Sequence, residues 1–264
     1  MKIAFALLVA LIAAPRPALA QFNPDRGSPV EGAPSPGLED SSPGGLLLPD
    51  TDLIDLPSAA VLDLGGFANR SRFFSSGGFV DWLGFGVYPR VNLGVSFNVE
   101  RLVGNDSPVQ LTRPELQLKM RFFDGDRYIP AFAFGFDGQG WLYNRPDKRY
   151  NHKQRGVYFV GTQEIGIPGL QAHAGMNVSD FDSNSLFGMI GVSLNLRDKL
   201  KLMTEWDAIN NVSDSRFNAG LRFYLTPYFN FDVAVRAIGH GGTFSNGQPR
   251  EPERVVQFKY VGNF

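Results

Sequence analysis

From about residue 62 to the end of the chain, apolar and polar side chains alternate with period two, the mark of strands whose two faces meet different surroundings. Val91, Leu93, Val95, Phe97 and Val99 share one face, with Asn92, Gly94, Ser96, Asn98 and Glu100 opposite. Leu116, Leu118, Met120 and Phe122 oppose Glu115, Gln117, Lys119 and Arg121 in the same way. So do Leu170, Ala172, Ala174 and Met176 against Gln171, His173, Gly175 and Asn177. The pattern predicts twelve strands, over about 62–74, 78–88, 91–102, 113–123, 130–139, 156–165, 169–178, 186–196, 200–209, 215–225, 229–238 and 254–264. Strands of soluble domains are typically ~5–6 residues long, whereas a tilted strand crossing a hydrocarbon core needs ~9–11. Most of these runs are at the longer value.

Connections after every second strand are short: 89–90, 124–129, 166–168, 197–199 and 226–228. Most of the others are longer, notably 139–155 and 239–253. Short turns on one side and long loops on the other are the habit of outer-membrane barrels. A sheet in lipid with an open edge would leave bare amides at several kcal/mol each, so it must close. The expected fold is all-β: a closed antiparallel transmembrane β-barrel of about 12 strands over 58–264. The competing soluble sandwich also alternates, but it accounts for neither strand length nor loop asymmetry. An even strand number puts both termini on the periplasmic side of a Gram-negative-type outer membrane. Phe258, Tyr260 and Phe264 close the last amphipathic strand and resemble the insertion signal read by barrel-assembly machinery.

With the apolar faces toward lipid, the remaining charges converge inside. The expected lumen-lining set is Glu100, Glu115, Lys119, Arg121, Asp137, His173, Lys201, Glu205, Asp207, Arg222, Asp232, Arg236 and Lys259. Arg70, Arg72 and Glu164 join it from strands whose facing is ambiguous. The signs nearly balance, which predicts paired charges across a narrow interior rather than a strongly selective filter. Twelve strands lie between barrels of ~8, filled by side chains, and those of ~16–18, which hold water. A narrow or plugged pore is expected, with Glu205 and Asp207 pairing with Arg222 or Lys201. Inward glycines, Gly191 and Gly220 among them, leave room for long side chains, a ligand or the N-terminal segment.

Met1-Lys2, an apolar run from Ile3 to Ala14 and Ala18-Leu19-Ala20 predict a signal peptide over 1–20. Residues 21–57 hold seven Pro and five Gly in 37 positions, a composition without regular secondary structure. Yet Leu53, Ile54, Leu56 and Pro57 are too apolar for a solvated tail. They predict either a linker with a few apolar residues or a docking segment, engaged inside the barrel or on an envelope protein partner.

The 264 residues contain no Cys, which removes disulfides, thiol nucleophiles and Cys-based metal sites. A net charge of -1 gives no case for nucleic acid. The three His stand apart from any Ser or Asp at a triad-like spacing, so no catalytic residue, metal site or cofactor is expected. Asp180, Asp182 and Asn184 lack the Gly and terminal Glu of a calcium loop and read as a solvated loop. The basic stretch with Arg145, Lys148, Arg149, Lys153 and Arg155 reads as an outer loop facing water or lipopolysaccharide. Lipid, lipopolysaccharide and the insertion machinery complete the expected partners.

The run Leu53-Ile54-Asp55-Leu56-Pro57-Ser58-Ala59 resembles the opening motif of YjbH-like outer-membrane barrels. Tyr88-Pro89-Arg90-Val91-Asn92-Leu93-Gly94-Val95-Ser96 and Ala133-Phe134-Gly135-Phe136-Asp137 extend the resemblance. Thr204-Glu205-Trp206-Asp207, followed by Asn218-Ala219-Gly220-Leu221-Arg222, is similar to a further motif pair of that family. The resemblance implies a non-enzymatic role in surface polysaccharide export or envelope assembly. Two alternatives stand beside it: a narrow porin-like channel for small solutes, and a lipid-modifying barrel enzyme using His173.

Overall fold

The structure is a computed structural model that describes residues 49–75, 77–104, 108–146, 148–152, 154–179, 186–210, 215–239, 241–243 and 251–263. The expected signal peptide, residues 21–48, the Asp180–Asn184 loop, His240 and Phe264 lie outside the described residues. Fifteen strands form among the described residues: β1 (Gly66–Phe74), β2 (Gly78–Tyr88), β3 (Val91–Glu100), β4 (Gln110–Leu111), β5 (Glu115–Phe123), β6 (Ala131–Asp137), β7 (Trp141–Asn144), β8 (Arg149–His152), β9 (Gly156–Glu164), β10 (Leu170–Val178), β11 (Leu186–Leu196), β12 (Leu200–Asp207), β13 (Arg216–Tyr224), β14 (Phe229–Ile238) and β15 (Glu253–Asn263). Leaving out β4, β7 and β8, twelve of them pair antiparallel in chain order. β1 pairs with both β2 and β15, from Gly66 opposite Asn263 to Phe73 opposite Val256, and this closes the barrel. β4 extends the ladder of β3, while β7 and β8 form a hairpin of their own in the longest described loop.

The first strand begins at Gly66 rather than near 62. Residues 62–65 turn out of the lumen instead, with Gly65 N–H donating to Gly86 O (2.9 Å) and Gly66 N–H to Asp63 O (2.9 Å). The barrel therefore has a termini end, where Gly66 meets Asn263, and a long-loop end.

Alternation sorts the faces as the sequence predicts. Leu93, Leu116, Leu118, Phe136, Phe159, Val192, Leu221 and Val233 are exposed on the outside. Aromatic rings cluster there too, as in Phe132 against Phe159 (5.5 Å) and Phe231 against Phe258 (5.2 Å). Phe258 and Tyr260, assigned to the insertion signal, both face outward. One departure is Asp81 on β2, which shares the outer face with Phe79, Leu83 and Phe85. Its carboxylate accepts hydrogen bonds from Asn69 Nδ2 (2.9 Å) and Ser71 Oγ (2.6 Å), so the adjacent strand β1 satisfies it. The complementary surprise lies inside, where Val80, Trp82, Val160, Met189, Met203 and Val255 are buried. The lumen is thus not uniformly polar; part of it is a hydrophobic core, and the N-terminal segment completes that core.

Candidate functional site: an occupied lumen

Residues 50–62 run inside the barrel. The segment folds back on itself: Asp52 and Pro57 form a bridge, Leu53 N–H donates to Leu56 O (2.9 Å), and Ser58 N–H donates to Thr51 O (3.1 Å). This turn leaves the N–H groups of Ile54, Asp55 and Leu56 free of backbone partners and aims them at one place. Glu205 stands there. Its carboxylate accepts from Ile54 (3.2 Å), Asp55 (2.8 Å) and Leu56 (3.0 Å), and from Asn218 Nδ2 (2.7 Å). Successive amides converging on one anion make a nest, with the wall supplying the anion and the segment the donors. Glu205 therefore does not pair with Arg222 or Lys201 as expected, because the segment's amides occupy its acceptor positions.

Apolar contacts fix the same turn. Leu53, Ile54 and Leu56 are buried in the core cluster with Val160, Met189, Met203 and Ala234. Leu53 Cδ2 and Ile54 Cδ1 each lie 3.1 Å from where a Cβ would stand on Gly191 and Gly220, so these two glycines seat them. Of the two settings open for the docking residues, the structure shows the inside of the barrel.

The segment also carries Asp50, Asp52 and Asp55, and each meets wall cations. Asp50 pairs with Lys201 (2.5 Å) and Arg222 (2.8 Å), and accepts from Tyr224 Oη (2.5 Å). Asp52 pairs with Arg70 and with Lys259 (3.4 Å). Asp55, deepest, pairs with Arg72 (2.6 Å) and Arg236 (2.7 Å). Arg222 also grips the backbone at Asp52 O (3.1 Å) and Leu53 O (3.0 Å), and Lys119 Nζ donates to Thr51 O (2.7 Å). Burial by itself would raise all three aspartic acids, but the facing cations outweigh it. Arg222, Lys201 and Lys259 hold Asp50 well below the usual carboxylate range. Arg70, Lys259 and Arg222 hold down Asp52, as Arg236 and Arg72 do Asp55. A carboxyl whose pKa is lower when docked stabilises docking above its free pKa of ~3.9, and that stability is lost as pH falls through the docked value. Segment release is accordingly expected to set in below about pH 4 and to be absent at neutral pH. Protease cleavage within 50–57, or single-channel conductance, followed against pH checks this.

The remaining lumen residues hold other things. Glu100 accepts from Tyr143 N–H (2.6 Å), and Glu115 accepts from Tyr150 Oη (3.2 Å) while pairing with Arg113 (2.7 Å). Both anchor the loop 138–155. Asp137 caps Gln139 N–H (2.9 Å) in that loop, and Arg121 pairs with Asp124 (3.0 Å) at the termini end. Asp232 binds Arg222, and Asp207 binds Arg155 (2.9 Å). The loop is not simply an outward basic surface. Arg145 and Lys148 are exposed, but Trp141 is buried in the barrel mouth, 5.1 Å from Phe74 and 5.5 Å from Trp82, under the guanidinium groups of Arg72 and Arg236. His173 lies between Thr162 Oγ1 (3.0 Å) and Ser193 Oγ (3.3 Å). Thr162 in turn accepts from Ala59 N–H (2.8 Å), which ties the ring to the segment. Between segment and wall remains a cavity of about 190 Å³, lined by Asn92, Lys119 and Lys259 toward the termini end and by His152, Ser179 and Arg216 toward the loops. Sequence reading missed Asp50, Asp52, Asp55, Trp82, Trp141 and Asn218. For the three aspartates the signal was their acidic spacing inside an apolar stretch, facing the lumen cations.

No protein-family model matches the chain, and no curated protein matches it. Among solved structures, the chain is similar to the KdgM porin, with a TM-score of 0.46 and 12% identity over 74% of this chain and 98% of that one. It is also similar to two mutants of Rh. blastica porin, with TM-scores of 0.35 and 0.34 and identities of 9% and 8%, over 70% of this chain and 55% of theirs. The YjbH-like assignment finds no support among these matches. The closed register of the strands themselves establishes the fold: an all-β, closed, twelve-stranded antiparallel barrel.

Proposed function

We propose that this chain is a narrow outer-membrane pore for small solutes, held nearly shut by its own residues 50–62, with both termini periplasmic. The reading is carried by one observation: a wall built for a polar passage is occupied by a segment whose every anchor is reversible. Ion pairs, hydrogen bonds to Glu205 and three apolar side chains hold it. None of these is a covalent or strand-ladder connection to the barrel wall.

Surface polysaccharide export receives less support. The cavity of about 190 Å³ falls below the ~300–1,000 Å³ of ordinary small-molecule sites and leaves no conduit for a polymer while the segment is docked. An enzymatic reading receives none from His173, whose ring lies between the hydroxyls of Thr162 and Ser193, the first of which also accepts from the segment.

The test is electrical. In planar bilayers the unaltered chain is expected to be nearly silent at neutral pH. Leu53→Asp with Leu56→Asp, which sets charges where the lumen is apolar, is expected to give steady conductance. Large ohmic conductance from the unaltered chain would refute the closed state. Silence from a folded, inserted variant would refute the pore.

A further inference from the structure

We infer that the lumen wall is a site for multivalent anions, occupied here by the segment's own aspartates, and that the pore selects anions once the segment leaves. The inference rests on the plugged-pore reading. Its basis is where each wall cation finds its counter-charge. Arg70, Arg72, Lys201 and Lys259 make their ion pairs with Asp50, Asp52 or Asp55, and among the described residues none of the four has a wall carboxylate within ion-pair distance. Lys119 pairs, among the described residues, with a segment carbonyl and no carboxylate. The segment from Pro49 to Pro57 carries these three acids and no base.

Withdrawing it therefore strips Arg70, Arg72, Lys201 and Lys259 of their counter-charges and Lys119 of its carbonyl, and leaves one carboxylate, Glu205, with Asn218 as its remaining donor. The other wall charges the segment touches keep wall partners: Arg222 keeps Asp232, Arg236 keeps Glu253 and Arg155 keeps Asp207. A narrow cavity in which unpaired charge of one sign predominates concentrates ions of the opposite sign by ~10-fold or more. The occupied geometry also gives the ligand class. The three acids are spread from Lys201 and Tyr224 near the termini end to Arg72 and Arg236 deeper in, so the cations form a track rather than a point. A small polycarboxylate, with acid groups set apart along its length, reproduces what the segment presents. A single carboxylate does not.

The experiment uses the full chain carrying Asp50→Asn, Asp52→Asn and Asp55→Asn, in planar bilayers under a KCl gradient. The expected reversal potential has the anion sign, with chloride favoured roughly tenfold over potassium. Citrate is expected to block at concentrations at least about tenfold below acetate. Adding Lys119→Gln, Lys201→Gln and Lys259→Gln is expected to erase most of both effects. Conductance without anion preference, or with cation preference, overturns the inference and leaves the pore reading standing. Absence of conductance from the inserted variant overturns both. Should the triple variant fail to insert, Glu205→Ala frees the same segment while keeping every wall cation, and the same outcomes decide.

Discussion

Replacing Glu205 with alanine is expected to convert a nearly silent barrel into a conducting one while leaving the barrel itself folded. Glu205 is buried on the lumen face of β12, and three of the four donors it satisfies belong to the segment. A hydrogen bond to a charged group contributes ~1.5–3 kcal/mol, and a buried donor left unmade costs a similar amount. Three such donors would sum to several kcal/mol, but the freed amides face a cavity that admits water and recover part of it. Removing the buried charge also returns some desolvation energy. A net loss of ~3 kcal/mol in docking is the expected remainder, about a hundredfold in the docked-to-released ratio. Glu205→Gln keeps one acceptor oxygen and should fall between. Protease cleavage of the segment and open-channel fraction should rise together across the series, with heat-modifiable mobility of the barrel unchanged. If both readouts stay at the unaltered level, the nest is incidental and the aspartates alone hold the segment.

This division of labour was only half legible in the sequence. Alternation along β3, β5 and β10 named the two faces residue by residue, because in these strands apolar and polar positions differ sharply. It failed on β2, where Val80 and Trp82 point inward while Phe79, Leu83 and Phe85 point outward, so both faces read as apolar. The apolar trio Leu53, Ile54 and Leu56 signalled docking, but not its place. The partners that decide the matter lie between about 70 and 260 in the chain and come together only when β1 closes on β15. The near balance of lumen charges was correct as arithmetic and misleading as electrostatics. Glu100, Glu115 and Asp137 are committed to the loop 138–155, so the cations around the segment exceed the anions the wall gives them. Trp141, set in a loop of basic composition, carried no periodic signal that would have placed it inside the mouth.

Arg222 is the position where segment and barrel are expected to fail together. Its side chain has no exposure, and its fork meets Asp232 through Nε and NH2, each at 2.8 Å. The rest of the guanidinium holds Asp50 and the carbonyls of Asp52 and Leu53. Arg222→Met leaves Asp232 buried with only Gln257 Nε2 (2.8 Å) to satisfy it, and a buried charge deprived of its partner costs ~3–5 kcal/mol. That cost falls on β13 and β14, so the barrel should lose its heat-modifiable fold at a lower temperature as well as release the segment. Adding Asp232→Asn removes the orphaned charge. The double variant is therefore expected to regain most of the barrel's thermal resistance, while the segment, still without the guanidinium that pairs with Asp50 and donates to the carbonyls of Asp52 and Leu53, stays released. Arg222→Lys keeps the charge but loses the bidentate fork and should cost less than methionine on both readouts. The separation is what matters: thermal resistance should follow the Arg222–Asp232 pair, and conductance should follow Arg222 alone. A double variant that recloses the pore as it restores the barrel would show that the segment is held by wall geometry and not by this guanidinium.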